Sequence, residues 1–173
     1  MNILPINRNV SLDRGIEGMG KGLVLLKARN AQSDCSYYFH IFLRNGRKPP
    51  FDVAISPYSN NIEYISFFIQ DETIKAASRM PDICLMPESV LLSSPCFSID
   101  RTGIDLSQEF DTLLCGGNLV VLATGVSEPV TGYRLSEKDY VLIGGSSRVA
   151  GLLFAGISER EMATLIESEV ISR

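Results

Sequence analysis

Apolar residues in this chain come in short runs set off by Gly, Pro, Asn and Ser, the pattern of a strand-rich fold. In the first half, residues 23–26 are continuously apolar, and the aromatic-rich run 37–43 stops at Asn45-Gly46, a strong hairpin signal. Alternation along that second run puts Tyr38, His40 and Phe42 on one face and Phe39, Ile41 and Leu43 on the other. Past Pro49-Pro50, residues 52–55 and 62–69 read as two more strands, the latter rich in Ile, Tyr and Phe. Asp71 then stands where it can cap a short helix running to Arg79, with Pro81 as its stop.

Residues 80–98 contain Pro81, Pro87 and Pro95, a spacing that argues against any regular element. The same stretch carries Ile83, Leu85, Met86, Val90, Leu91 and Leu92, so it should pack against the body as a connector. In the second half, residues 119–123, 132–135, 140–143 and 149–154 read as strands, with Gly144-Gly145-Ser146-Ser147 turning between the last two. Ser158 and Glu161 form the two ends of a capping box. Met162, Leu165, Ile166 and Val170 then recur at spacings of three and four, marking one buried helical face.

The halves align. Residues 52–67 lie without gaps over 139–154, with Asp52/Asp139, Ser59/Ser146 and Phe67/Phe154 identical. The pairs Ile55/Leu142, Ile62/Val149 and Ile65/Leu152 are conservative, and Glu72 or Glu159 follows each hairpin. This alignment suggests a duplication. The predicted fold is α+β: mainly antiparallel β-sheet with a helix after each of two duplicated β units. The first unit spans 1–79 and ends in a short helix, the Pro-rich packed connector spans 80–98, and the second unit spans 99–173. Together they are expected to form one compact domain.

Composition narrows the class. At 173 residues and 45% hydrophobic, the chain can bury an adequate core and is not of the disordered type. No apolar run approaches the roughly 18 residues of a membrane span. The start, Met1-Asn2-Ile3-Leu4-Pro5, lacks the basic and apolar regions of a signal peptide, which predicts a cytoplasmic protein. Cys35, Cys84, Cys96 and Cys115 show no zinc-like spacing and are expected to be buried free thiols. Charge is uneven: residues 1–79 hold ten Lys/Arg against seven Asp/Glu, whereas residues 80–173 hold six against thirteen. That acidic half suits a cationic partner and disfavours nucleic acid there.

Catalytic and cofactor patterns are weak. Residues 15–22 contain a Gly-rich run ending in Gly20-Lys21-Gly22, but Gly22 replaces the Ser or Thr of a phosphate loop and a strand follows. A flexible loop is expected there, with no nucleotide. His40 is the only histidine and reads as a strand residue with a satisfied hydrogen bond. Cys115-Gly116-Gly117 could present a thiol on a turn, yet nothing local lowers its pKa. Asp100, Asp105, Glu109 and Asp111 cluster within twelve residues without calcium-loop order and read as a solvated acidic turn and helix start, or as a partner-binding patch. No metal or cofactor is expected.

The segments 61–72 and 149–161 resemble the strand-to-helix steps of bacterial immunity proteins from contact-dependent and other polymorphic toxin systems. The resemblance covers about a third of the chain. It implies a non-catalytic protein, monomer or homodimer, that binds a cognate, cationic toxin domain and blocks it. On that view Asp100, Asp105, Glu109 and Asp111 would form part of the binding surface. Two other classes remain at this point: a hydrolase using scattered carboxylates or Cys115 with His40, and a scaffold whose duplicated units form a pseudo-symmetric interface.

Overall fold

The computed structural model describes residues 1–7, 11–33, 35–46 and 48–171. Along the chain, β1 (Asn2–Ile6) precedes β2 (Asp13–Gly20) and β3 (Leu23–Arg29), followed by β4 (Phe39–Arg44), β5 (Phe51–Ile55) and β6 (Ile62–Gln70). A short β7 (Lys75–Ala76), β8 (Ile83–Met86), β9 (Ser89–Ser93) and β10 (Gly103–Ser107) lead into β11 (Phe110–Cys115) and β12 (Asn118–Ala123). The last elements are β13 (Val130–Arg134), β14 (Asp139–Gly144), β15 (Val149–Phe154) and α1 (Glu159–Glu167). The chain is 53% strand and 5% helix, so the α+β expectation gives way to a mostly β fold with one short helix.

Two large sheets carry the fold. The first has the order β10-β4-β5-β6-β3-β2 and the second β7-β11-β12-β15-β14-β13-β8, with β1-β9 as a separate ribbon. Within them, β2–β6 and β11–β15 follow one plan. In each set a hairpin (β2-β3 or β11-β12) pairs through its second strand with the last strand of a three-stranded meander. Each meander edge also receives a parallel strand, β10 beside β4 and β8 beside β13. The parallel strands come from the middle of the chain and end on opposite sheets, which ties the halves together.

The inner faces of both sheets form one core. Alternate residues such as Val24, Leu26, Val53, Ile55, Ile65 and Phe67 pack with Val121, Val141, Leu152 and Phe154, all nearly inaccessible. Phe51 and Phe67 meet Phe110 of the opposite sheet edge-on, at centroid distances of 5.2 and 5.7 Å. The β1-β9 ribbon adds Val90 and Leu92 to this core, and α1 with its exit adds Leu165 and Val170. Ser158 caps α1 in the expected capping box with Glu161.

Several sequence expectations are corrected by tertiary contacts. No helix follows the first unit: Asp71 has φ +53°, incompatible with the extended backbone of an N-cap, and Lys75–Ala76 pair with β11 instead. Residues 15–22, expected as a flexible loop, are mostly β2 and its turn. A Cβ at Gly18 would meet Ser168 Oγ at 2.7 Å, so Ser168 would have to shift, and Gly22 turns the chain at φ +71°. The connector holds two strands, because Pro81, Pro87 and Pro95 fall between or beyond them rather than inside. The acidic stretch after Asp100 contains β10 and β11 rather than a helix start. Of the thiols, Cys115 is buried and Cys35 half-buried, whereas Cys84 on an edge strand and Cys96 in a turn are exposed.

The aligned hairpins also differ by one step. Ile55 pairs with Ile62, but Ile143 pairs with Val149, because six residues separate the first pair and five the second. By pairing, the counterpart of Asp52 is Tyr140, not Asp139. A one-residue slip moves a side chain to the other face. Asp52 therefore lies on an outer face, while Asp139 points inward and is 3% exposed.

Candidate functional site

On the outer face of the first sheet, strands β4 and β3 form two walls over a floor made by β5 and β6. Along β4 and the residue that leads into it, Tyr38, His40 and Phe42 stand in a row: His40 stacks on Phe42 at 5.1 Å and 9°, and Tyr38 meets it edge-on at 6.2 Å. Arg44 extends the row, its guanidinium 5.8 Å from the Phe42 ring centre. Along β3, Leu25, Lys27 and Arg29 make the facing wall. The floor between them includes Ala54, and Asp52, Glu63 and Tyr64 complete the lining of a groove of about 320 Å³.

His40 Nδ1 lies 2.9 and 3.2 Å from the two Asp52 carboxylate oxygens. A carboxylate only accepts, so Nδ1–H donates to Asp52, and Nε2 is the ring nitrogen outside that contact. Glu63, 7% exposed, accepts from Asn30 Nδ2 at 2.7 Å. Lys27 pairs with Glu17 of β2 at 2.6 Å, and both side chains are part-exposed. Among the described residues no Ser, Thr or Cys side chain hydrogen-bonds to His40.

The second sheet shows what this face looks like without the groove. Strand pairing equates Lys27 with Val120, Arg29 with Leu122, His40 with Gly132, Ala54 with Leu142 and Ser66 with Leu153. Those counterparts are apolar, and Val120, Leu142 and Leu153 are buried in a second cluster that Met80 and Ile83 pack against. Met80 belongs to residues 77–82, a strap running from β7 at one edge of that sheet to β8 at the other. One plan thus yields an apolar, strapped face and a charged, aromatic, open one. The polar groove is not a requirement of the fold.

The four carboxylates singled out from the sequence do not form one patch. Asp105 lies on β10 at the rim of the first sheet's outer face and accepts from Arg44 Nε at 2.5 Å. Asp111 lies on β11 of the other sheet, in an ion pair with Lys75. Asp100 sits in an exposed turn, and Glu109 is exposed between β10 and β11. His40 and Cys115 are also separated, since Cys115 is 6% exposed in the second sheet while His40 faces outward from the first. The hydrolase built on that pair is excluded by placement. Among the described residues no group of three His, Cys, Asp or Glu could hold a metal ion. Among the described residues no helix is long and apolar enough to cross a membrane.

A second charged cluster lies between the sheets. Arg14 donates to Asp139 Oδ1 and to the Ala155 carbonyl, both at 2.9 Å, and to Glu161 at 3.0 Å. Burial pushes the Asp139 pKa up, against the lowering effects of Ser136 and Arg14. Burial also acts to raise Glu161, but hydrogen bonds from Ser158 and the charge of Arg14 outweigh it and leave its pKa lowered. These groups link β2, β14 and α1, and their place is structural.

Alternation in the sequence already put Tyr38, His40 and Phe42 on one face. The missed members were Lys27, Arg29, Asp52 and Tyr64, which come from three other strands. Neither protein-family models nor curated proteins match this chain.

Proposed function

We propose that this chain is a non-catalytic binding protein whose recognition surface is the outer face of the first sheet. The observation that carries this reading is the contrast between equivalent positions. Lys27, Arg29 and His40 line an open groove where the second sheet has Val120, Leu122 and Gly132, with Met80 packed on the cluster that contains Val120. Aromatic side chains lined up beside basic ones in an open groove are the residue types that anchor a partner. A groove with one aromatic wall and one basic wall suits recognition of a partner. Toxin neutralisation, implied by the resemblance to immunity proteins, is the biological form of this reading: the chain would hold its partner stoichiometrically.

The test is co-expression with the product of the adjacent gene. Wild-type chain should form a complex with that product and suppress its toxicity. A variant with Tyr38→Ala, His40→Ala and Tyr64→Ala, checked for folding by circular dichroism, should lose both. Full protection by the folded triple variant would rule this surface out.

A further inference from the structure

We propose that the groove receives an extended, acidic segment of a protein partner, with its carboxylates against Lys27 and Arg29. This rests on the binding-protein reading and names the chemistry of its partner. The walls, β3 and β4, are three inter-strand spacings apart, about 14 Å, which leaves room for an extended chain to lie between them. The charges differ in availability across that width. Asp52 already accepts from His40 through both oxygens, and Glu63 is buried against Asn30. Lys27 and Arg29, by contrast, reach the surface on the β3 wall, Lys27 a third exposed and Arg29 in the exposed class.

Lys27 has one competitor, Glu17 on the edge strand, itself half-exposed. Exposed pairs of this kind are weak, so an incoming carboxylate can replace Glu17 at little cost. On the opposite wall, the His40 ring is held in place by Asp52 and by stacking on Phe42, which leaves its face and edge as a fixed contact surface for the segment. Arg44 is engaged by Asp105 at the far rim, which concentrates the available positive charge on the β3 side. A basic segment would meet Lys27 and Arg29 head-on. The cationic partner expected from the acidic second half therefore does not suit this face, whose half of the chain carries ten basic against seven acidic residues.

The test uses the full ¹⁵N-labelled chain and three probes: a synthetic peptide with alternating Asp, its Lys counterpart, and adenosine monophosphate. The Asp peptide should shift the amide signals of Lys27, Arg29, His40 and Ala54, with affinity falling as salt rises. The double variant Lys27→Glu/Arg29→Glu should weaken it by about tenfold or more. Equal or stronger response to the Lys peptide or to the nucleotide, or no response to any probe, would overturn the proposal. A complex with the adjacent gene's product that survives charge reversal yet is lost in the Tyr38/His40/Tyr64 triple variant would sink the acidic segment alone. Survival in both variants would sink the binding surface as well.

Discussion

Arg14 and Asp139 meet at 2.9 Å across the interior, one on the edge strand of the first sheet and the other on β14 of the second. Their side chains are 16% and 4% exposed, so this is a largely dehydrated ion pair. The guanidinium also lies 5.5 Å from the Phe154 ring centre and contacts Glu161 at the start of α1. One residue thereby joins both sheets and the helix.

Removing that guanidinium leaves Asp139 buried without its countercharge. Arg14→Ala should cost about 3 to 5 kcal/mol in urea unfolding. Adding Asp139→Asn to it should recover part of the loss, because the orphaned charge disappears. Equal stability of the single and double variants would show that Asp139 is solvated rather than dependent on Arg14.

The two carboxylates have opposite linkage. Glu161 has a lowered pKa in the fold, so its contribution is present above its ordinary value of 4.5 and is lost as pH falls through the lowered folded value. Glu161→Gln should be less stable than wild type at neutral pH, and the gap should close in strong acid. Asp139 is raised, so the folded chain takes up its proton at a pH above the ordinary 3.8, and its ionisation opposes folding at higher pH. Unfolding curves collected from neutral to acid pH for wild type and Glu161→Gln check the sign.

Gly151 has φ +153°, and a Cβ there would lie within 1.9 Å of the Val121 carbonyl oxygen. Gly151→Ala should push β15 from β12 and cost at least about 3 kcal/mol. Gly125 has φ +76° with nothing within 4 Å, so Gly125→Ala should cost only about 1 to 2 kcal/mol of backbone strain. Thermal melts of the two variants separate steric conflict from strain.

The strap over the second sheet makes a different prediction. Met80 packs on the cluster of Val120, Leu142 and Leu153. Met80→Ala should cost about 1 to 2 kcal/mol through lost apolar burial. It should also raise hydrogen exchange in residues 77–82 while leaving the groove amides unchanged. Uniform change across both sheets would mean that the strap is not a local cover.

Local patterns were legible where one run of residues holds the whole signal. The capping box of Ser158 and Glu161, the face shared by Tyr38, His40 and Phe42, and the hairpin into Phe154 all belong to that class. The helix expected from Asp71 failed because the edge of β11 offered Lys75 and Ala76 backbone partners. The partner of His40 was hidden for a related reason: Asp52 is twelve residues away, and only the β4–β5 register brings it near.

The sequence by itself determined the strand-rich character, the capping box that starts α1 and the alternation of buried and exposed positions, because each arises from interactions between residues close along the chain. The tertiary structure alone decided which face is covered, since the strap and the parallel strands β8 and β10 arrive from distant segments. It also decided which charges are available: Asp105 and Asp111 meet cations from other strands, while Lys27 and Arg29 gather with His40 over one groove. Charge in a fold acts through distance and burial, and both are set by packing rather than by order in the chain.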